Sequence, residues 1–104
     1  MEGTKPSGDV IEMVRNDKDV ILVDVRTPEE HRQKRIPGSI LLPDYELKSR
    51  AEEVLPDNDA KIVVYCRSGR RSAEAAKVLK EMGYKNVYDL GGIIDSPYET
   101  ESGE

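Results

Sequence analysis

Apolar residues in this chain follow two rhythms. Near-continuous apolar runs at 19–25 ("DVILVDV") and 62–65 ("IVVY") predict strands buried on both faces, as in a parallel sheet. Shorter runs, Ile40 to Leu42 and "NVYDL" at 86–90, predict two further strands. Between these runs the apolar positions take helical spacing. In "DVIEMVR", Val10, Ile11 and Val14 share a face, Asp9 can cap the helix and Glu12 can complete a capping box. In "TPEEHRQKR", Thr27 is the cap, Pro28 the first helical residue and Glu30 the capping-box acid, with no further role expected of the pair. In "DYELKSRAEEVLP", Asp44 can cap, Leu47, Ala51 and Val54 line one face, and Pro56 ends the helix. From about Arg70, Ala75, Leu79 and Met82 mark a fourth helix, which Gly83 stops. Pro37-Gly38 and Gly91-Gly92 read as turns, and "IIDSPYE" as a last short helix.

Strands that alternate with helices predict an α/β domain: a doubly wound, mostly parallel sheet, expected to have five strands, flanked by helices. Residues 9–98 form that single domain, with loose tails expected at 1–8 and 99–104. In such sheets the working crevice opens at the carboxyl ends of the strands. Asp24 with Arg26, and Cys66, fall at those ends.

Composition narrows the picture. The 104 residues contain no Phe and no Trp, so the core must come from aliphatic residues, Met and some Tyr. No apolar run approaches the ~20 residues that span a bilayer. The polar start, "MEGTKPSGDV", has no signal-peptide core, so a soluble, cytoplasmic protein without membrane contact is expected. One cysteine makes no internal disulfide and no multi-thiolate metal site, and one histidine, His31, adds little. His31 is expected to face solvent, and Tyr65 to lie in the core. A net charge of -5 argues against nucleic-acid binding.

One stretch runs against that acidity. "CRSGRRS", Cys66 to Ser72, carries +3, so the rest of the chain carries -8. With Cys66 at a strand end and a helix starting near Arg70, the loop between must curl tightly, which Gly69 permits. The amides of such a loop converge as in an anion-binding nest at a helix N-terminus. These dipoles, with Arg67, Arg70 and Arg71, favour a thiolate, the nucleophilic form of cysteine. Arg67 and Arg71 are the arginines expected nearest the substrate, with Arg70 partly solvated. Ser68 and Ser72 can donate hydroxyl hydrogen bonds to the sulfur. A lone cysteine after an apolar strand is more often a buried hydrophobe, but these polar neighbours argue for a reactive or anion-binding thiol. A thiol sealed beneath its neighbours would leave the fold without the activity. The loop is one residue shorter than the phosphatase pattern and so fits a sulfur better than a phosphate. A phosphatase would also need a general acid over the loop, for which Asp24 is the candidate.

The segments "DVRTPEEH" (24–31), "IPGSI" (36–40), "VVYCRSGRRS" (63–72) and "GYKNVYDLGG" (83–92) together resemble the rhodanese family, as a single-domain member. The resemblance implies a sulfurtransferase without metal or cofactor. Cys66 would take the outer sulfur of thiosulfate or of a persulfide and pass it to cyanide, a thiol or a protein acceptor. It implies that the loop Arg67, Ser68, Gly69, Arg70, Arg71 and Ser72 holds the persulfide, with Asp24 and Arg26 as structural support. A sulfur-carrier or regulatory module acting on a protein partner is the alternative, and a phosphatase or arsenate reductase a more distant one. The chain departs from the family pattern at Lys34-Arg35, where a small residue and a histidine are common. It also has Ser96 where a tryptophan is expected.

Overall fold

A computed structural model describes residues 8–93 and residue 100. Its elements run in the order α1 (Gly8–Asn16), β1 (Ile21–Asp24), α2 (Pro28–Gln33), β2 (Ile40–Leu41), a 3-10 turn (Asp44–Glu46), α3 (Leu47–Val54), β3 (Lys61–Cys66), α4 (Arg70–Glu81) and β4 (Asn86–Gly92). Among the described residues the sheet has four strands, in the order β2-β1-β3-β4, against the five expected. Every pairing is parallel. The expected helix after residue 93, Ser96 and nearly all of both expected tails lie outside the described residues. No helix among the described residues is long and apolar enough to cross a membrane.

Strand alternation sorts the core into two layers. Val23, Val25, Ile62, Val64, Cys66 and Val87 pack with Leu47, Ala51 and Leu55 and with Ala75, Ala76 and Leu79 of α4. Leu22, Val63, Tyr65 and Leu90 face the other way, toward Val10 of α1 and Ile36. Successive residues of β3 thus serve opposite layers, which explains why its run is apolar without interruption. Cys66 points into the layer beneath α4, whereas Tyr65 points into the opposite one. Tyr65 is buried, as expected, and its hydroxyl accepts from Ile36 N (3.1 Å) and lies 2.9 Å from Ser39 Oγ.

The ends of several elements differ from the sequence reading. Asp9 falls inside α1 and not ahead of it. Asp44 begins a 3-10 turn, with Pro43 in the cap position and no side-chain cap bond, so α3 proper starts only at Leu47. A proline offers no hydroxyl or carboxylate to the first turn, and the tighter turn takes up those amides instead. Gly83 does end α4, with φ +107. Gly91-Gly92 is not a turn. It continues β4 through a register shift, in which Val64 pairs with Asp89 but Tyr65 pairs with Gly91.

The strand order places a topological switch at β1 and β3. The chain leaves β1 toward one edge of the sheet and β3 toward the other. The crevice of such a sheet opens between the carboxyl ends of those two strands. Asp24 lies opposite Tyr65 there, one residue before Cys66.

Leu79 has no exposed surface and sits where α4 meets the sheet. Leu79→Ala should therefore cost about 2–5 kcal/mol, the usual range for a fully buried leucine. A urea titration monitored by circular dichroism would measure it, and a loss below about 1 kcal/mol would show that α4 is not anchored as described.

Candidate active site

The loop after β3 closes on its own sulfur. Gly69 takes φ +104, a left-handed conformation that other residues adopt at a cost, and stands at the N-cap of α4. No side chain oxygen caps this helix. Instead Cys66 Sγ accepts from the amide of Gly69 at 2.9 Å and from that of Ser72 at 3.3 Å. The sulfur thus fills the place of an N-cap oxygen and faces the positive end of a twelve-residue helix. This is the amide cradle expected from the spacing.

Two expectations about this loop need correction. The Ser72 hydroxyl donates to Gly69 O at 3.1 Å, not to the sulfur, and it is the Ser72 amide that reaches Sγ. Ser68 is exposed, and no hydrogen bond from it to Sγ is present. Cys66 itself has no exposed surface, so the open thiol expected from the sequence is not observed. By the criterion drawn from the sequence, this closed arrangement is the fold without the activity, and sulfur chemistry here requires that a donor displace a neighbouring side chain to reach Sγ.

The three arginines separate. Arg70 is exposed at the start of α4. Arg67 is exposed and lines a cavity of about 350 Å³ with Arg26, Glu30, Gln33, Lys34 and Ile93. Arg71 reaches across to α2 and gives both arms to Glu30, Nη1 to Oε1 at 2.9 Å and Nη2 to Oε2 at 3.1 Å. Glu30 does complete the capping box of α2, accepting from Thr27 N at 3.0 Å while its own amide donates to Thr27 Oγ1. The reading of Glu30 as a cap alone is therefore incomplete. The hydrogen bonds from Arg71 hold its carboxyl down to about 2, against partial burial that pushes it up.

Below the crevice, Asp24 is the hub of a buried charge group. Arg26 binds it in parallel, Nε to Oδ1 and Nη2 to Oδ2, each at 2.8 Å, and the Arg26 amide adds a third bond at 3.0 Å. Arg26 also donates through Nη2 to the carbonyl of Lys34 and lies over the Tyr65 ring, 5.5 Å from its centre. His31, expected to face solvent, turns inward, with Nδ1 2.9 Å from Asp24 Oδ2. A buried carboxylate gains from every partner within reach, and one turn of α2 brings this ring to it.

Gly92 is the residue that sequence reasoning missed. A Cβ built there would collide with Arg67 O and stand 2.6 Å from both the Cα and the C of Ser68. β4 therefore supports the loop by backbone contact, and only glycine permits the approach. The neighbouring Asp89 accepts from Gly91 N at 2.8 Å and steadies the register shift. Burial holds the Asp89 carboxyl above its ordinary range. The paired glycines are the available signal, although by composition they indicate a turn.

Two outcomes follow from this geometry. Gly92→Ala should push the Arg67–Ser68 backbone outward, cost about 1–3 kcal/mol and speed alkylation of Cys66 by iodoacetamide; an unchanged alkylation rate would show that the contact does not hold the loop. For Glu30 the folded carboxyl titrates below its unfolded value. Its stabilising effect is complete above the ordinary carboxylate range, near 4.5, and is lost as pH falls toward about 2. Acid unfolding of Glu30→Gln should accordingly lack that part of the pH dependence.

The sequence matches the rhodanese-like domain family over residues 7–95. It is 41% identical over 73 residues to the thiosulfate sulfurtransferase PspE of Escherichia coli, covering 70% of each chain. It is 46% identical over 78 residues to a sulfurtransferase of Allochromatium vinosum, covering 74% of this chain and 71% of that one. A solved rhodanese with anions from E. coli superposes with a TM-score of 0.75 at 37% identity, covering 81% of this chain and 99% of the other. With the cysteine loop at the sheet's switch point and a match across nearly all its described residues, the chain belongs to the rhodanese-like domain family.

Proposed function

We propose that this protein is a sulfurtransferase that carries sulfane sulfur on Cys66. The observation that supports the reading most directly is the pair of amides aimed at Sγ from the N-terminus of α4. Such a cradle stabilises negative charge on a sulfur atom without a metal or an organic cofactor. The relatives' shared description, sulfurtransferase, agrees with it.

The reaction consists of two displacements at sulfur. The Cys66 thiolate attacks the outer sulfur of thiosulfate. A bond forms between Sγ and that sulfur, the sulfur–sulfur bond of thiosulfate breaks, and sulfite leaves with the bonding pair. The product is a persulfide anion on Cys66. A thiolate or cyanide then attacks its outer sulfur, which yields a new persulfide or thiocyanate and returns the Cys66 thiolate. With a persulfide as donor the first leaving group is a thiolate in place of sulfite. The amides of Gly69 and Ser72 bear on the charge at Sγ in each state, and Arg67 bears on the incoming anion. Asp24 and Arg26 keep the loop's floor rigid but touch no reacting atom.

Incubation with thiosulfate should add the mass of one sulfur atom to the intact protein, and cyanide should remove it. Cys66→Ser should abolish the addition. Arg67→Ala should raise the KM for thiosulfate by about tenfold, with little change in thermal stability, because Arg67 is exposed. Absence of any mass gain would leave Cys66 as a buried structural thiol. Hydrolysis of an aryl phosphate without sulfur uptake would instead favour the phosphatase reading.

A further inference from the structure

Asp89 is a half-buried carboxylate for which the sulfur chemistry has no use so far. It stands on β4 opposite Val64, where the register with β3 slips. Its Oδ1 accepts from the amide of Gly91 at 2.8 Å, and Gly91 takes φ +92. The bond spans the slip and fixes the path of the Gly91–Gly92 peptide, which has no side chain of its own to anchor it. The cysteine loop rests on that peptide. Cys66 pairs with Gly92 in the ladder, and its carbonyl accepts from Ile93 N at 3.0 Å. A Cβ on Gly69 would stand 3.5 Å from Gly92 N and 3.8 Å from Gly91 Cα, so the two backbones lie side by side. Gly69 in turn gives its amide to Cys66 Sγ at 2.9 Å. Each step from Asp89 to the sulfur is thus a hydrogen bond or a backbone contact.

We propose that Asp89 is a positioning residue for the Cys66 thiolate. By holding the Gly91 amide it keeps the Gly91–Gly92 peptide against the loop, and the loop then keeps the Gly69 amide on Sγ. The proposal rests on the sulfur-transfer reading above, which gives that thiolate its task. Asp89 touches no reacting atom. Its bond and its charge act on the sulfur with opposite sign. An amide held on Sγ favours the thiolate, so losing the bond raises the pH at which Cys66 ionises. A nearby carboxylate disfavours the thiolate, so losing the charge alone lowers that pH.

The test is the pH dependence of Cys66 alkylation by iodoacetamide in wild-type protein, Asp89→Ala and Asp89→Asn. The midpoint of the profile reads ionisation, and its plateau reads access to the sulfur. Asparagine keeps an acceptor oxygen for Gly91 and removes the charge, whereas alanine removes both. The midpoint should rise in Asp89→Ala by at least about half a pH unit, about threefold less thiolate at a fixed lower pH. In Asp89→Asn it should stay at the wild-type value or fall slightly below it. No rise in the alanine variant, or the same rise in both, would overturn the proposal. A merely structural role would lower stability and raise the plateau without this split of midpoints. Should the alanine variant fail to fold, wild-type protein supplies a second test. Burial holds the Asp89 carboxyl above its ordinary range, against the Ser72 hydroxyl, the Gly91 amide and Lys80 of α4, the charged group that bears on it. In a proton–nitrogen NMR titration the Gly91 and Gly69 amide signals should shift together at one midpoint above the usual carboxylate range, and Asp89→Asn should erase it. A Gly69 signal without that inflection would overturn the proposal. Alkylation needs no sulfur donor, so failure of wild-type protein to take sulfur from thiosulfate would sink the sulfur-transfer reading separately.

Discussion

A sulfur atom stands here where a helix would ordinarily place a serine or aspartate oxygen. Cys66 Sγ accepts from the amides of Gly69 and Ser72, and α4 has no other side-chain cap. The requirement is mutual. The helix needs an acceptor for amides that its own backbone cannot satisfy, and the sulfur needs donors if it is to carry charge while buried. The tight path of the loop, the positive φ of Gly69 and the close approach of Gly92 all serve to hold these two distances. A further sulfur attached to Sγ would enter the same field of dipoles.

A second group of charges sets the floor of the crevice. Asp24 is buried at the end of β1 and would be costly there alone. Arg26 meets it with a parallel pair of bonds, His31 approaches from α2, and Arg26 extends to the backbone at Lys34. The group thereby ties β1, α2 and the segment leading to Ile36 into one unit. One consequence lies beyond the group itself. With α2 fixed in this orientation, Glu30 on its first turn faces α4, and its carboxylate meets Arg71. The cap of one helix is thus also a counter-charge for the loop of another.

The burial of Cys66 belongs to the same arrangement. The residue belongs to the same buried layer beneath α4 as Val25, Val64 and Ala75, while its neighbours in the loop, Arg67 and Ser68, are exposed. Chemistry at such a sulfur begins with the displacement of a neighbour, and the exposed side chains of the loop are those with fewest contacts to lose. Shielding also suits a persulfide, whose outer sulfur is open to attack by any thiol that reaches it.

Much was legible along the chain because it depends on local chemistry. Alternating apolar runs and caps predicted the α/β order, the start of α4 near Arg70, the end at Gly83 and the capping box at Thr27. The loop's glycine and arginines announced an amide cradle around Cys66, while the resemblance at "DVR" marked Asp24 and Arg26 as support without saying that they pair with each other. What the sequence left open depends on residues far apart in the chain. Arg71 and Glu30 are 41 positions apart, and nothing local says that two surface-type charges will meet. His31 reads as solvent-facing until the turn of α2 places it over a buried carboxylate. Gly91-Gly92 has turn composition, yet a parallel neighbour draws it into β4, where the missing side chain makes room for the loop. Local pattern determines which elements form and where the thiol stands. Only packing decides which charges find each other, because a charge at a crevice pairs with whatever the fold brings within about 4 Å.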